Sequence, residues 1–407
     1  MSFYKQTIRD VPLDGKTVLV RADYNVPLDE DNHISDDLRI RASLPTLEYL
    51  IKRGCKIVII SHLGRPEGRD AALSLQQVSE RLAVLLGRNV DFIDQTIGDK
   101  VRQLVKRAPS SSIILLENLR YYAEEEANNT DFAKQIAEDS GARYFIQDGF
   151  GVVHRAHAST DAITAYLPSV AGLLLETEYT RITEAMERPK RPLIAVMGGA
   201  KVSDKIGIIE RFVEVADTII IGGAMANTFL AYKGFSLGAS KLETDQNDTI
   251  KAIYAAAEKK VGHKVDEFIV LPTDVAVSTS ISHLSRRKNV PINDVDNDEI
   301  ALDIGDATIE TMTKLIADAG TVVWNGTLGY AELSEFAHGS ARLSLSLAVQ
   351  SATTSIIGGG DTADFVLKWD AQEGRSFTHV STGGGASLEL MAGKKLPGIE
   401  CLLDVRK

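Results

Sequence analysis

Short apolar runs rich in Val and Ile recur from one end of the chain to the other, and longer segments of helical period separate them. Runs of this kind, with no regular polar alternation, predict parallel strands covered by helices on both faces. In the first half they are Val18–Tyr24, Ile57–Leu63, Ile113–Leu119 and Tyr144–Phe150, with a weaker one at Asp91–Ile93. Leu44–Lys52, Leu75–Leu86 and Asp131–Asp139 have helical spacing between them. The second half offers Leu193–Met197, Thr218–Ile221, Phe268–Leu271, Thr321–Trp324, Ser355–Ile357 and His379–Ser381 as strands. Breaker-containing stretches around Leu167–Ser169 and Glu187–Pro192 bracket a helical segment, Leu173–Met186, which reads as the connection between two lobes. The predicted fold class is α/β: two doubly wound, Rossmann-like domains with parallel sheets, joined by an interdomain helix.

Length supports the division, because 407 residues exceed what one core normally holds. The 44% apolar content suits a globular protein, and the net charge of −11 repels nucleic acid and anionic membranes, so neither is an expected partner. Cys55 and Cys401 are too few for a disulfide framework or a structural zinc site. The first ten residues lack the apolar core of a signal peptide and no run is long enough to span a bilayer, so the expected location is the cytoplasm.

The residues just beyond each run are chemically distinctive. In the second half, Gly358-Gly359-Gly360-Asp361-Thr362 and Ser381-Thr382-Gly383-Gly384-Gly385 stop an apolar run with bare glycines, and Gly198-Gly199-Ala200-Lys201-Val202-Ser203-Asp204-Lys205 adds lysines. Glycines at a strand-to-helix turn let backbone N–H groups approach a ligand, and phosphate is the natural guest of all three segments. In the first half the ends carry cations: Arg21-Ala22-Asp23-Tyr24-Asn25, His62-Leu63-Gly64-Arg65, Glu117-Asn118-Leu119-Arg120 and His154-Arg155-Ala156-His157. Converging guanidinium groups suit a small, highly anionic molecule. Doubly wound sheets bind ligands beyond the carboxyl ends of their strands, where these clusters begin. Asp10–Thr17 ends like a P-loop but lacks its first glycine and precedes a strand, so it reads as a turn; no three-glycine dinucleotide fingerprint occurs.

Taken together and in order, Arg21–Pro27, Ser61–Pro66, His154–Ser159, Gly198–Ile206, Gly358–Thr362 and Ser381–Ser387 resemble the phosphoglycerate kinases over nearly the whole chain. The resemblance implies reversible phosphoryl transfer from 1,3-bisphosphoglycerate to MgADP, giving 3-phosphoglycerate and MgATP, by a monomer. It implies that Asp23, Asn25, His62, Arg65, Arg120 and Arg155 line the phosphoglycerate site, with Arg39 reaching the transferring group. Lys201, Lys205, Asn325, Glu332, Gly358, Gly359, Gly360, Asp361 and Thr362 would serve the nucleotide, Gly384 and Gly385 the transfer itself, and Asp361 the Mg2+. The implied domains are 1–171 for phosphoglycerate, a hinge at 172–186, 187–389 for nucleotide, and a segment, 390–407, returning to the first domain.

Charge logic leads the same way. Exchange of a phosphoryl group between a carboxylate and a terminal phosphate removes no proton from the nucleophile, so it needs alignment and charge cancellation rather than a general base. Substrates held on separate lobes meet only if the lobes close, which also excludes water. Four positions depart from the family pattern: Thr327 and Asp306 replace usual prolines, Ala331 a usual phenylalanine, and Gly149 a usual alanine. The run Glu124-Glu125-Glu126 reads as a solvated face. On the residues alone, a two-lobed solute-binding protein and a catalytically silent scaffold remain the competing classes, and a coupled assay with 3-phosphoglycerate and MgATP separates all three.

Overall fold

In the computed structural model, which describes residues 3–405, the apolar runs split their side chains between two cores. Val18 and Val20 pack on one face with Ile57, Ile59, Ile113 and Leu115, while Leu19, Val58, Ile60, Ile114 and Leu116 pack on the other. Both faces are dry, which is why the runs show no polar alternation. The strands are β1 (Thr17–Arg21), β2 (Lys56–Ile60), β3 (Asp91–Ile93), β4 (Ile113–Leu116), β5 (Tyr144–Gln147) and β6 (Ser169–Ala171). They pair in parallel in the order β3-β4-β2-β1-β5-β6.

A second parallel sheet contains β7 (Leu193–Met197), β8 (Thr218–Ile221), β9 (Ile269–Val270), β13 (Thr321–Asn325), β14 (Thr354–Gly358) and β15 (His379–Val380), in the order β15-β14-β13-β7-β8-β9. Between them in sequence come β10 (Asp274–Ser278), β11 (Lys288–Pro291) and β12 (Ile300–Ile304), which form a separate antiparallel sheet in the order β11-β10-β12. The sequence reading missed this sheet, and it missed β6, placed in the connection between lobes. The β11 run is Lys-Asn-Val-Pro with one buried residue, and β6 has only three residues at a sheet edge.

The chain divides into two units, one reaching Thr180 and including the residues from Lys395 on, the other Arg181–Lys394. The division falls within the helix Leu173–Glu187. In the first unit the returning segment is held by Gln6 N donating to Leu403 O (2.7 Å) and by Lys5 Nζ on Asp404 Oδ1 (2.7 Å). Met1, Ser2, Arg406 and Lys407, the ends of the terminal segments expected from sequence, lie outside the described residues. Among the described residues, no helix is long and apolar enough to cross a membrane.

Four first-unit strands end three residues earlier than their apolar runs suggest, because the next residues leave the ladder for side-chain contacts. After β2, for example, Ser61 Oγ accepts from Tyr24 N (2.8 Å) and donates to Ala22 O (2.9 Å). The helix expected over Leu44–Lys52 starts at Leu38 and runs through Pro45, which puts Arg39 on its first turn.

Candidate functional site

In the first sheet the strand order turns back at β1, with β2 and β4 on one side and β5 on the other. Such a switch point opens a crevice at the carboxyl ends of the strands. Asp23 follows β1, and its Oδ2 accepts from Arg39 Nη1 at 2.7 Å. Asn25 N donates to Asp23 Oδ1 (3.1 Å), while Asn25 Oδ1 accepts from Gly64 N (2.8 Å) and so ties the β1 loop to the β2 loop. Arg120 Nη1 donates to Gly64 O (2.7 Å), and its Nε pairs with Glu126 Oε1 (3.1 Å). Arg155 is half-buried, with Nε on His154 Nε2 at 3.1 Å, and Arg65 is exposed. Five of the expected residues, Asp23, Asn25, Arg39, His62 and Arg120, thus share one web of contacts, and Arg65 and Arg155 extend its positive field.

That field sets the protonation of its members. Burial lowers the Arg120 pKa, Glu126 opposes the change, and Arg155 and Arg65 add to it. His62 is 3% exposed. Burial drives its pKa well below the ordinary imidazole value; Asp23 opposes, while Arg21, Arg120 and Arg39 reinforce, so the ring is neutral at physiological pH. For Asp23 burial pushes the pKa up, but Arg39, His62, the Asn25 N–H and Arg21 outweigh it and bring it to about 2. The result is a fixed anion, Asp23, beside several cations held in place by the fold.

Glu125 corrects the sequence reading: its neighbours Glu124 and Glu126 are exposed, but Glu125 itself has no exposure and lies 3.8 Å from the buried Arg21. No local signal separates the middle residue of an acidic run from its flanks. Its hydrogen-bonding partner, Ser159, stands 34 residues away.

The second sheet turns back between β7 and β13. Lys205 Nζ bridges the ends of these strands, donating to Gly198 O (2.8 Å) and Asn325 O (3.3 Å). A Cβ on Gly326 would come within 2.5 Å of that ammonium, so glycine is required where the lysine crosses. Burial lowers the Lys205 pKa to about 8, with Asp361 and Asp204 opposing. Thr362 Oγ1 accepts from Gly326 N (2.7 Å), and Gly359 takes φ +94° against Asn325 Nδ2, which is buried without a hydrogen-bond partner. The helix Gly360–Trp369 begins directly beyond β14, and the first N–H groups of a helix have no intrahelical acceptor. Gly384, at φ +51°, precedes the helix Gly385–Met391, whose Met391 and Ser387 pack near Gly358. Lys201 and Glu332 are both exposed.

One of the three glycine segments is not the backbone cradle expected from its sequence. Gly198 N donates to Asn325 O (2.9 Å), Gly199 N to Thr327 O (2.8 Å), and Val202 N and Ser203 N to Glu243 Oε2 (2.7 and 3.1 Å). A carboxylate of the chain already takes the Val202 and Ser203 N–H groups, and the Gly198 and Gly199 N–H groups are spent on backbone carbonyls. Glu243 was invisible to motif reading because it comes from 40 residues downstream.

The donor set fits magnesium bound with a nucleotide. Among the described residues no three His, Cys, Asp or Glu cluster as a metal cage. Mg2+ accompanying phosphates typically takes only one or two protein carboxylates, and Asp361 is exposed on the first turn beyond β14, two residues after Gly359, which lies against the orphaned Asn325 amide.

Comparison with known proteins agrees with this architecture. The family model for phosphoglycerate kinase matches residues 8–394. A phosphoglycerate kinase from Pelotomaculum thermopropionicum is 42% identical over 401 residues, covering 98% of this chain and 99% of that protein. One from Nostoc punctiforme is also 42% identical, covering 98% of each. Among solved structures, phosphoglycerate kinase from Coxiella burnetii superposes with a TM-score of 0.83 at 36% identity, and that from Pyrococcus horikoshii with 0.84 at 31%, each covering 98% of both chains.

Proposed function

The chain belongs to the phosphoglycerate kinase family, and from that premise we propose how its two units divide the reaction. The enzyme is a kinase with phosphoglycerate kinase activity. In our reading, 3-phosphoglycerate or 1,3-bisphosphoglycerate binds the first unit through Asp23, Asn25, His62, Arg65, Arg120 and Arg155. ATP or ADP binds the second through Lys201, Lys205, Asn325, Glu332, Gly358, Gly359, Gly360 and Thr362, with Asp361 holding Mg2+. The observation that carries this division is that each parallel sheet ends, at its own switch point, in a different anion-binding chemistry: guanidinium groups in one, a half-buried ammonium and helix N-terminal N–H groups in the other.

Transfer then proceeds by alignment and charge neutralisation, without a general base, since the attacking carboxylate has no proton to lose. Arg39 acts on the group in flight, Lys205 follows it as a desolvated cation, and the Gly384 and Gly385 backbone N–H groups donate to its oxygens. Mg2+, when bound with the nucleotide, neutralises phosphate charge and orients the terminal phosphate. The two units must bring their substrates together, with the hinge in Gly172–Met186, and the enzyme works as a cytoplasmic monomer with no nucleic-acid or membrane partner. Small-angle scattering tests closure: the radius of gyration falls only when both substrates are present. A radius unchanged by both together contradicts it.

A further inference from the structure

Beneath the cationic surface of the first unit lies a buried chain of polar contacts that the family motifs do not assign. Arg21, 1% exposed, donates from Nε to Ser159 Oγ (2.7 Å) and from Nη1 to Ala22 O. Its Nη2 stands 3.4 Å from His62 Nδ1 and 3.8 Å from Glu125 Oε1. Glu125 accepts from Ser159 Oγ (2.5 Å) and Ser159 N (3.0 Å), so one hydroxyl links the carboxylate to the guanidinium.

A guanidinium has five donors and no acceptor. Its contact with His62 therefore requires the lone pair on Nδ1, and a neutral imidazole then carries its only proton on Nε2. We propose that Glu125 is a positioning residue which, through Ser159 and Arg21, holds His62 as the Nε2–H tautomer, able to donate to an oxygen of bound phosphoglycerate. This rests on the reading that phosphoglycerate binds the first unit.

Burial raises the Glu125 pKa, and Arg21, the Ser159 hydroxyl and N–H, and Arg120 oppose that rise. Asp23, Arg21, Arg120 and Arg39 act on His62, while Arg21, Arg120 and His157, whose Nδ1 is 3.9 Å from Oε1, face Glu125. Apart from Glu125, the carboxylate acting on Arg21 is Asp23. Neutralising Glu125 leaves Asp23 as the carboxylate acting on Arg21, so the guanidinium is no longer held from the Ser159 side in its place against His62 Nδ1. Nδ1 is then free to take the proton, with Asp23 Oδ1, 4.0 Å away, ready to accept from it.

The test is histidine-selective 15N NMR of the full chain at pH 7, with the His62 signal assigned through His62→Gln, combined with steady-state kinetics. The wild type should show a protonated Nε2 and an unprotonated Nδ1. Glu125→Gln should give a mixture of tautomers and raise KM for 3-phosphoglycerate about tenfold, with KM for MgATP unchanged. Because a buried, unbalanced arginine can prevent folding, Ser159→Ala serves as the milder variant, keeping both charges and removing only the linking hydroxyl; it should shift the tautomer ratio in the same direction. A wild-type Nδ1–H tautomer, or wild-type tautomer and KM in both variants, overturns the proposal. The two readings fail separately: if 3-phosphoglycerate leaves the His62 signal of the wild type untouched, the binding site is wrong whatever the tautomer.

Discussion

Arg39 occupies the first turn of the helix Leu38–Lys52 and is paired with Asp23 before any substrate arrives. A cation held in place in this way needs no reorganisation when charge develops on the transferring group. Arg39→Ala should therefore lower kcat by about two to three orders of magnitude while KM for either substrate moves less than about fivefold. Steady-state kinetics checks this, and a loss confined to KM would reassign Arg39 to ground-state binding. Lys205 gives a pH-dependent counterpart. Burial lowers its pKa to about 8, so the free enzyme loses this cation as pH rises through that value. KM for MgATP should rise above about pH 8 while KM for 3-phosphoglycerate stays flat, and equal rises in both would separate Lys205 from the nucleotide. The residues that the structure gathers around Asp23 and Lys205 were legible because motif residues lie close together in sequence. Glu125, Ser159 and Glu243 were not, because what makes them matter is a partner tens of residues away.

At the scale of elements, glycines at strand ends separate two physical demands. Gly326 is required by the protein's own packing, since a Cβ there meets Gly198 O and the Lys205 ammonium. Gly360 is different: it opens the helix Gly360–Trp369 without a positive φ, and a Cβ on it would meet nothing within 4 Å. Nothing inside the fold demands glycine there, and in the proposed division of substrates this is where the nucleotide phosphates approach the backbone. Gly360→Ala should keep or slightly raise thermal stability, by up to about 1 kcal/mol, yet weaken MgADP binding about tenfold in calorimetry. Unaltered affinity would remove this turn from the phosphate site. Strands buried on both faces, such as Leu193–Met197 and Thr218–Ile221, were readable to the residue because apolar content alone marks them. The antiparallel strands β10, β11 and β12 were not, since β10 has only three apolar residues, β11 only one, Asp303 interrupts β12, and the turns between them are long.

For the whole molecule, the root of the helix Leu173–Glu187 carries a buried acid that couples stability to pH. Asp148 Oδ1 accepts from Thr46 Oγ1 (2.9 Å) and Leu174 N (3.0 Å), while its Oδ2 has no partner. Burial raises its pKa to about 7, with Thr46 and the helix N–H groups opposing. A carboxyl whose folded pKa lies above its unfolded value stabilises the fold fully below about pH 4 and loses that contribution as pH rises to about 7. His157 works in the other direction, since burial lowers its pKa to about 4 and its contribution is lost as pH falls from about 6.5. The two oppose one another, so the informative quantity is a difference. Unfolding free energy of Asp148→Asn minus wild type should grow by on the order of 4 kcal/mol between pH 4 and pH 8. A difference independent of pH would show that Asp148 titrates normally. In the proposed division each unit holds one substrate. The most direct measurement is a crystal structure with 3-phosphoglycerate and a Mg2+-nucleotide bound together. Phosphoglycerate should lie among Asp23, Asn25, His62, Arg65, Arg120 and Arg155, with the nucleotide phosphates at Gly358–Thr362 and Lys205. Phosphoglycerate bound at the glycine turns, or nucleotide phosphates among the arginines, would contradict it.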